Sequence, residues 1–178
     1  MWAGGGAWRR TAGVVAFLAT ASGVVGCWLG EGARRPPPAR NVILFLGDAA
    51  GLATLHGASV YGYGQPRGLY IHTLPHIALA ETSTASEWVP DSAAGMTAIV
   101  TGSKTHNGVV AQSDSAVRRT RDGEPLKTIL EHAEERGLAT GIVSTNSILS
   151  ATPAACYAHV DDRGEKDEVL RQLLEPSY

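Results

Sequence analysis

Apolar and polar positions along this chain fall into blocks. Val42-Ile43-Leu44-Phe45-Leu46 is apolar without alternation and stops at Gly47-Asp48. An unbroken Val/Ile/Leu run of this kind predicts a strand over residues 41–48, buried on both faces of an α/β sheet. A helix is expected from about Leu52 to Tyr61, then an irregular surface excursion over 62–75, where glycines and prolines recur. His76 to Glu81 reads as a second strand. The small-residue segment Ala94–Thr101 reads as a helix that ends at Gly102 and packs closely on the sheet. Lys104 to Gly108 is a turn signalled by Asn107-Gly108, and Val109-Val110-Ala111 a short strand before an exposed, charged stretch over 113–123.

The second half continues the pattern. Pro125 opens a helix whose apolar stripe is Leu126, Ile129, Leu130 and Ala133, and Gly137 closes it. Leu138 to Thr145 is a third buried strand. Thr152 as N-cap and Pro153 at the first helical position start a helix reaching about His159, and Glu165–Leu174 is a final amphipathic helix. Helix alternating with strand predicts parallel α/β architecture.

The amino-terminal segment reads as an address. Arg9-Arg10 precedes an apolar, small-residue stretch from Thr11 to Gly26, the pattern of a secretory signal peptide over 1–27. Its end, Val24-Val25-Gly26-Cys27, matches a lipobox, with lipid carried on Cys27. A plain signal peptide or an uncleaved anchor is the other reading. Residues 28–40, with Pro36-Pro37-Pro38, form a semi-stiff spacer. The expectation is an exported protein, periplasmic or in the cell envelope, with its folded part over 41–178.

Composition narrows the classes. The chain has 178 residues, 44% hydrophobic and 18% charged, enough for one domain with a normal core. A net charge of -2 gives no nucleic-acid-binding signal. Cys27 and Cys156 do not form a zinc-finger pattern, so a metal would need oxygen and histidine ligands. Cys156 reads as a small core residue and His132 as a surface residue.

Four features share the expected carboxyl edge of the sheet. Asp48 ends the first strand, where ligands of open α/β sheets bind; it is a metal-ligand candidate or the N-cap of the next helix. Asp91 is a good N-cap and places Ser92 in a first turn, facing free N–H groups and the positive end of a helix dipole. That suits a phosphate or an oxyanion, and an ordinary cap explains the same residues. Thr152 is explained by capping or by a site, and Arg163 by a surface ion pair or by a phosphate, which its parallel N–H donors fit. Together they suggest metal-assisted phosphoryl transfer with a serine nucleophile.

Four segments in order carry a resemblance: Asn41 to Asp48, Asp91 to Ala98, Thr101 to Gly108, and Ala151 to Ala155 followed by Ala158-His159 and Arg163. They resemble the amino-terminal part of an alkaline phosphatase. The resemblance implies a three-layer α/β/α sandwich, present as its amino-terminal part, and hydrolysis of small phosphate monoesters through a phosphoserine. By it, Ser92 is the nucleophile, Arg163 grips the phosphate and Asp91 orients that arginine. It implies two Zn2+ ions and one Mg2+, with Asp48 bridging zinc and magnesium, Ser92 on the same zinc and Thr152 at the magnesium. It leaves room for a homodimer and gives His159 no chemical role.

The pattern departs from the family at Ala49, where Gly is usual, and at Ser150, where Asp or His is usual. The remaining zinc ligands of the family lie downstream of the arginine. The expectation is therefore a fragment or truncated gene model, weak or inactive alone. Two other functions compete: a non-catalytic envelope lipoprotein with a residual anion-binding site, and a phosphodiesterase or phosphotransferase of the same superfamily.

Overall fold

The computed structural model describes residues 39–175. The expected signal segment, Cys27 and most of the spacer lie outside them. Contacts divide the chain at Leu44, and the unit from Phe45 onward holds the helices and the core.

Helices form close to where the residue pattern puts them. α1 spans Leu52–Tyr63 and ends at Gly64, whose φ of +67° lets its N–H reach the Val60 carbonyl. A short 3-10 turn over Tyr70–Thr73 lies in the irregular excursion. Ser59, the buried residue of α1, holds that excursion down: its Oγ donates to the Gln65 carbonyl (2.7 Å) and accepts from the Gly68 N–H (2.6 Å). α2 spans Ser92–Thr101, two residues earlier than the small-residue block suggests, because Asp91 caps it. α5 spans Lys166–Leu174 and buries Val169.

Two helix starts differ from expectation. α3 runs over Ile129–Glu134 rather than from Pro125. Glu124 and Leu126 are engaged elsewhere: Ser113 N–H donates to the Glu124 carbonyl and Leu126 N–H to the Ala111 carbonyl, both at 2.9 Å. Thr128 and Glu131 then form a reciprocal capping box, which fixes the helix start. α4 is the short helix Ala151–Ala154 with Ser150 as its N-cap, so Thr152 lies inside the first turn with its hydroxyl released from capping.

The expected strands over 41–48, 76–81, 109–111 and 138–145 do not pair into a sheet among the described residues. What pairing there is consists of isolated antiparallel bridges, Val110 with Val160, Gln112 with Pro125 and Val117 with Arg121. The run over 109–111 is buried, while those over 41–48, 76–81 and 138–145 are largely uncovered, with Ile77 93% and Leu79 90% exposed. Residues patterned for burial on both faces need strand neighbours and covering helices, and the three uncovered runs have no strand neighbours within the described residues.

The core is small-grained. Ala93, Met96 and Val100 of α2 meet Ala151 and Ala154 of α4, with Val110, Tyr157, Val160 and Val169 completing the cluster. Cys156 is buried there too, and burial pushes its thiol up to about 11.

A buried polar network ties these pieces together. Ala111, at φ +46°, donates its N–H to Thr97 Oγ1 on α2 (2.8 Å). Its carbonyl accepts from Leu126 N–H and, at 2.7 Å, from His159 Nδ1. That carbonyl can only accept, so Nδ1 carries its hydrogen. Nε2 then faces Glu131 Oε1 at 3.1 Å. His159 is thus a structural tie between α2, α3 and the segment that leads to Arg163.

Thr128, fully buried, joins that network through Glu131. Its hydroxyl accepts from Glu131 N–H (3.2 Å) and donates to the buried Cys156 carbonyl (3.1 Å). Thr128→Ala is expected to lower unfolding free energy by about 1–2 kcal/mol, read as a shift of the guanidinium midpoint at unchanged slope.

Candidate active site

Asp48 stands on a tight turn in which Ala50 N–H reaches the Gly47 carbonyl (3.1 Å) and Gly51 N–H reaches that of Ala49 (3.0 Å). The turn lifts an exposed carboxylate toward two helix starts. Ser92 Oγ donates to it at 2.9 Å from Oδ2 and 3.2 Å from Oδ1. Thr152 Oγ1 donates to Oδ2 at 3.0 Å. Residues 44 and 104 positions apart from Asp48 thus place their hydroxyls on one carboxylate.

Asp91 divides its carboxylate between two tasks. Oδ1 accepts from Ala94 N–H at 3.0 Å and closes the α2 cap. Oδ2 lies 3.2 Å from Arg163 Nη1. The guanidinium is therefore held beside the residue that precedes Ser92. Ser92 itself is the first residue of a ten-residue helix, at the positive end of the helix dipole. All five residues singled out in the sequence come together: Asp48, Ser92 and Thr152 in one cluster, Asp91 and Arg163 in the adjoining one.

The loop that carries Arg163 is pinned by groups far apart along the chain. Asp161 Oδ2 accepts from Thr120 N–H (3.0 Å). Asp162 is buried and accepts from Gly164 N–H (2.9 Å), Arg118 (3.0 Å) and Arg119. Burial by itself would raise its pKa, but the Gly164 N–H and the two guanidinium groups outweigh that and bring it to about 2. The Arg118-Arg119 and Asp161-Asp162 pairs are complementary in charge. Nothing in their spacing says that they meet.

The donor set is a test of what could bind. One exposed carboxylate and two hydroxyls are hard oxygen donors, and they fit part of a magnesium shell or the oxygen share of a zinc site. Among the described residues there is no group of three or more His, Cys, Asp or Glu side chains able to hold a metal. Ser150, at the position where Asp or His is usual in the resembling family, caps α4 with no side-chain capping bond. The donors present therefore fit a share of a metal site, not a closed one.

Ala49 sits at φ +54°, in the left-handed region that favours glycine, directly after the candidate ligand Asp48. Ala49→Gly is expected to raise stability by about 1 kcal/mol by removing that strain, measured by chemical denaturation. For Asp162, the folded pKa of about 2 lies below the ordinary 3.8, so its contribution is present above pH 3.8 and is lost as pH falls through about 2. Acid unfolding across that window should be shallower for Asp162→Asn, which should also be less stable at pH 7 by about 1–2 kcal/mol.

The chain is similar to known proteins over most of its length. The family model described as alkaline phosphatase matches residues 39–173. Alkaline phosphatase 4 of Drosophila melanogaster is 37% identical over 157 residues, which is 77% of this chain and 26% of the relative. Streptomycin-6-phosphate phosphatase of Streptomyces griseus is 43% identical over 136 residues, 74% of this chain and 29% of the relative. Among solved structures, the cold-active alkaline phosphatase of the psychrophile Shewanella sp. superposes with a TM-score of 0.64 at 30% identity, over 73% of this chain and 32% of that one. A variant of TAB5 alkaline phosphatase with Mg bound in its M3 site superposes with a TM-score of 0.60 at 35% identity, over 72% of this chain and 34% of that one. The chain thus spans about a quarter to a third of the length of the relatives it matches.

Proposed function

The chain belongs to the alkaline phosphatase family, and on that premise we propose that it serves the hydrolysis of small phosphate monoesters through a phosphoserine at Ser92. The observation that carries the reading is the convergence of the Ser92 and Thr152 hydroxyls on the Asp48 carboxylate, beside the Asp91–Arg163 pair.

Each residue has a defined task in this reading. Arg163, aligned by Asp91, offers its N–H groups to two non-bridging oxygens of the phosphate. The ester is then held with its phosphorus in front of Ser92 Oγ. That oxygen attacks phosphorus, and the bond from phosphorus to the ester oxygen breaks, releasing the alcohol once its oxygen takes up a proton. Water then attacks the phosphoserine, freeing inorganic phosphate and restoring the serine. The Ser92 hydroxyl hydrogen is already directed at Asp48, so the oxygen lone pairs stay available for attack. Asp48 and Ser92 would help to hold a zinc ion, and Asp48 and Thr152 a magnesium ion. Bound there, two Zn2+ and one Mg2+ would supply the positive charge that favours an ionised serine and offsets charge on the leaving oxygen.

The setting we propose is the three-layer α/β/α sandwich, in which the uncovered runs over 41–48, 76–81 and 138–145 take strand neighbours. Residues 1–27 are proposed as the export signal and Cys27 as a lipid carrier.

Ser92→Ala in the full-length gene product is expected to lower the rate with 4-nitrophenyl phosphate by about a thousandfold or more. Phosphate trapped at acid pH should be found on Ser92 by mass spectrometry of the parent protein. An undiminished rate in the variant would remove Ser92 from the chemistry.

A further inference from the structure

Adjacent residues, Asn107 and Gly108, grip the backbones of both members of the Asp91–Arg163 pair. Asn107 Oδ1 accepts the Asp91 N–H at 2.8 Å, and its Nδ2 donates to the Val89 carbonyl at 3.1 Å. The side chain thus bridges across Pro90, which has no N–H of its own to hold the segment. One residue on, the Gly108 carbonyl accepts the Arg163 N–H at 2.7 Å. We infer that Asn107 is a positioning residue for phosphate binding, setting Asp91 at the distance from which it aligns the Arg163 guanidinium. This rests on the reading of Arg163 as the phosphate grip.

The geometry suits a rigid jig. Val109 N–H closes the turn on the His106 carbonyl at 3.1 Å, with Asn107 and Gly108 as its central residues. Gly108 has φ +89°, as the third residue of such a turn requires. A Cβ there would also meet the Arg118 guanidinium, the movable end of a long side chain, so it is the backbone angle that demands glycine. His106 is fixed on both ring nitrogens, at 2.9 Å from Ser86 Oγ and 2.9 Å from the Asp114 carbonyl. The turn therefore has little freedom to follow a displaced Asp91. If Asn107 is truncated, the Asp91 N–H and the Val89 carbonyl lose their partner together. The peptide that carries both the α2 cap and the arginine's counter-charge then loses its anchor, while the Gly108 hold on Arg163 remains. The two halves of the pair drift relative to each other.

A merely structural asparagine would lower stability without a specific link to Arg163, so the test is a double-mutant cycle. Inorganic phosphate affinity is measured by equilibrium dialysis on the full-length, metal-loaded protein as wild type, Asn107→Ala, Arg163→Ala and the double variant. Asn107→Ala should weaken binding about tenfold, and the double variant should bind no more weakly than Arg163→Ala alone. Asn107→Ser, a residue at home in turns, carries the same expectation where the alanine variant does not fold. Binding within twofold of wild type for the folded Asn107 variant, or losses that multiply in the double variant, would overturn the proposal. So would a wild-type protein that binds no phosphate. The hydrolytic reading fails separately: full activity in Ser92→Ala would remove it, while the phosphate cycle would still decide the role of Asn107.

Discussion

Two hydroxyls on one carboxylate are what the site depends on. Asp48 lies on a turn, Ser92 at the start of α2 and Thr152 inside α4, and their meeting requires α2 and α4 to lie side by side. That closeness has a cause in composition. Ala93 on one helix and Ala151 and Ala154 on the other leave no bulk between them. Larger residues there would fill the core equally well but would hold the hydroxyls apart. The small side chains therefore set the geometry of the site as much as the polar residues do.

The polar network serves the same end from the other side. Thr97, Ala111, His159, Glu131 and Thr128 form a continuous buried chain of hydrogen bonds. Each donor or acceptor in it would be costly to strand away from water. The chain runs from the middle of α2 to the segment just before Arg163, so the nucleophile's helix and the arginine's loop share one support. Asp161 and Asp162 add a second support from the 118–120 loop.

Much of this was legible in the residues. Asp91 before a small-residue block announces a capped helix, Gly102 marks its end, and Cys156 reads as core; the structure agrees at each. Gly137, read as the close of the next helix, lies beyond it, since α3 stops at Glu134 with Glu135 as its C-cap. The five candidate site residues lie in two adjoining clusters, though not at the edge of a sheet among the described residues. Local chemistry misled where two signals competed. Pro125 is a good helix opener, but the Thr128–Glu131 box lies three residues on and the proline segment pairs with 111–113 instead. Thr152 followed by proline imitates an N-cap, yet Ser150 takes that place. The long-range ties of His159, Asn107 and Asp162 have no local signature, because the partners lie 16 to 48 positions away. The expected sheet is a matter of neighbours: a run can be patterned for a strand, but only another strand makes it one.

Asp91 has a consequence for how this chain can change. One of its oxygens closes a helix and the other holds the arginine, so folding and ligand capture share a single carboxylate. Asparagine there could keep the cap and lose the charge; glutamate could keep the charge and lose the cap. Neither keeps both, and selection acting on either property constrains the other. A lineage that no longer needed the arginine would still be held to a capping residue at this position, and the aspartate could long outlast the activity it served.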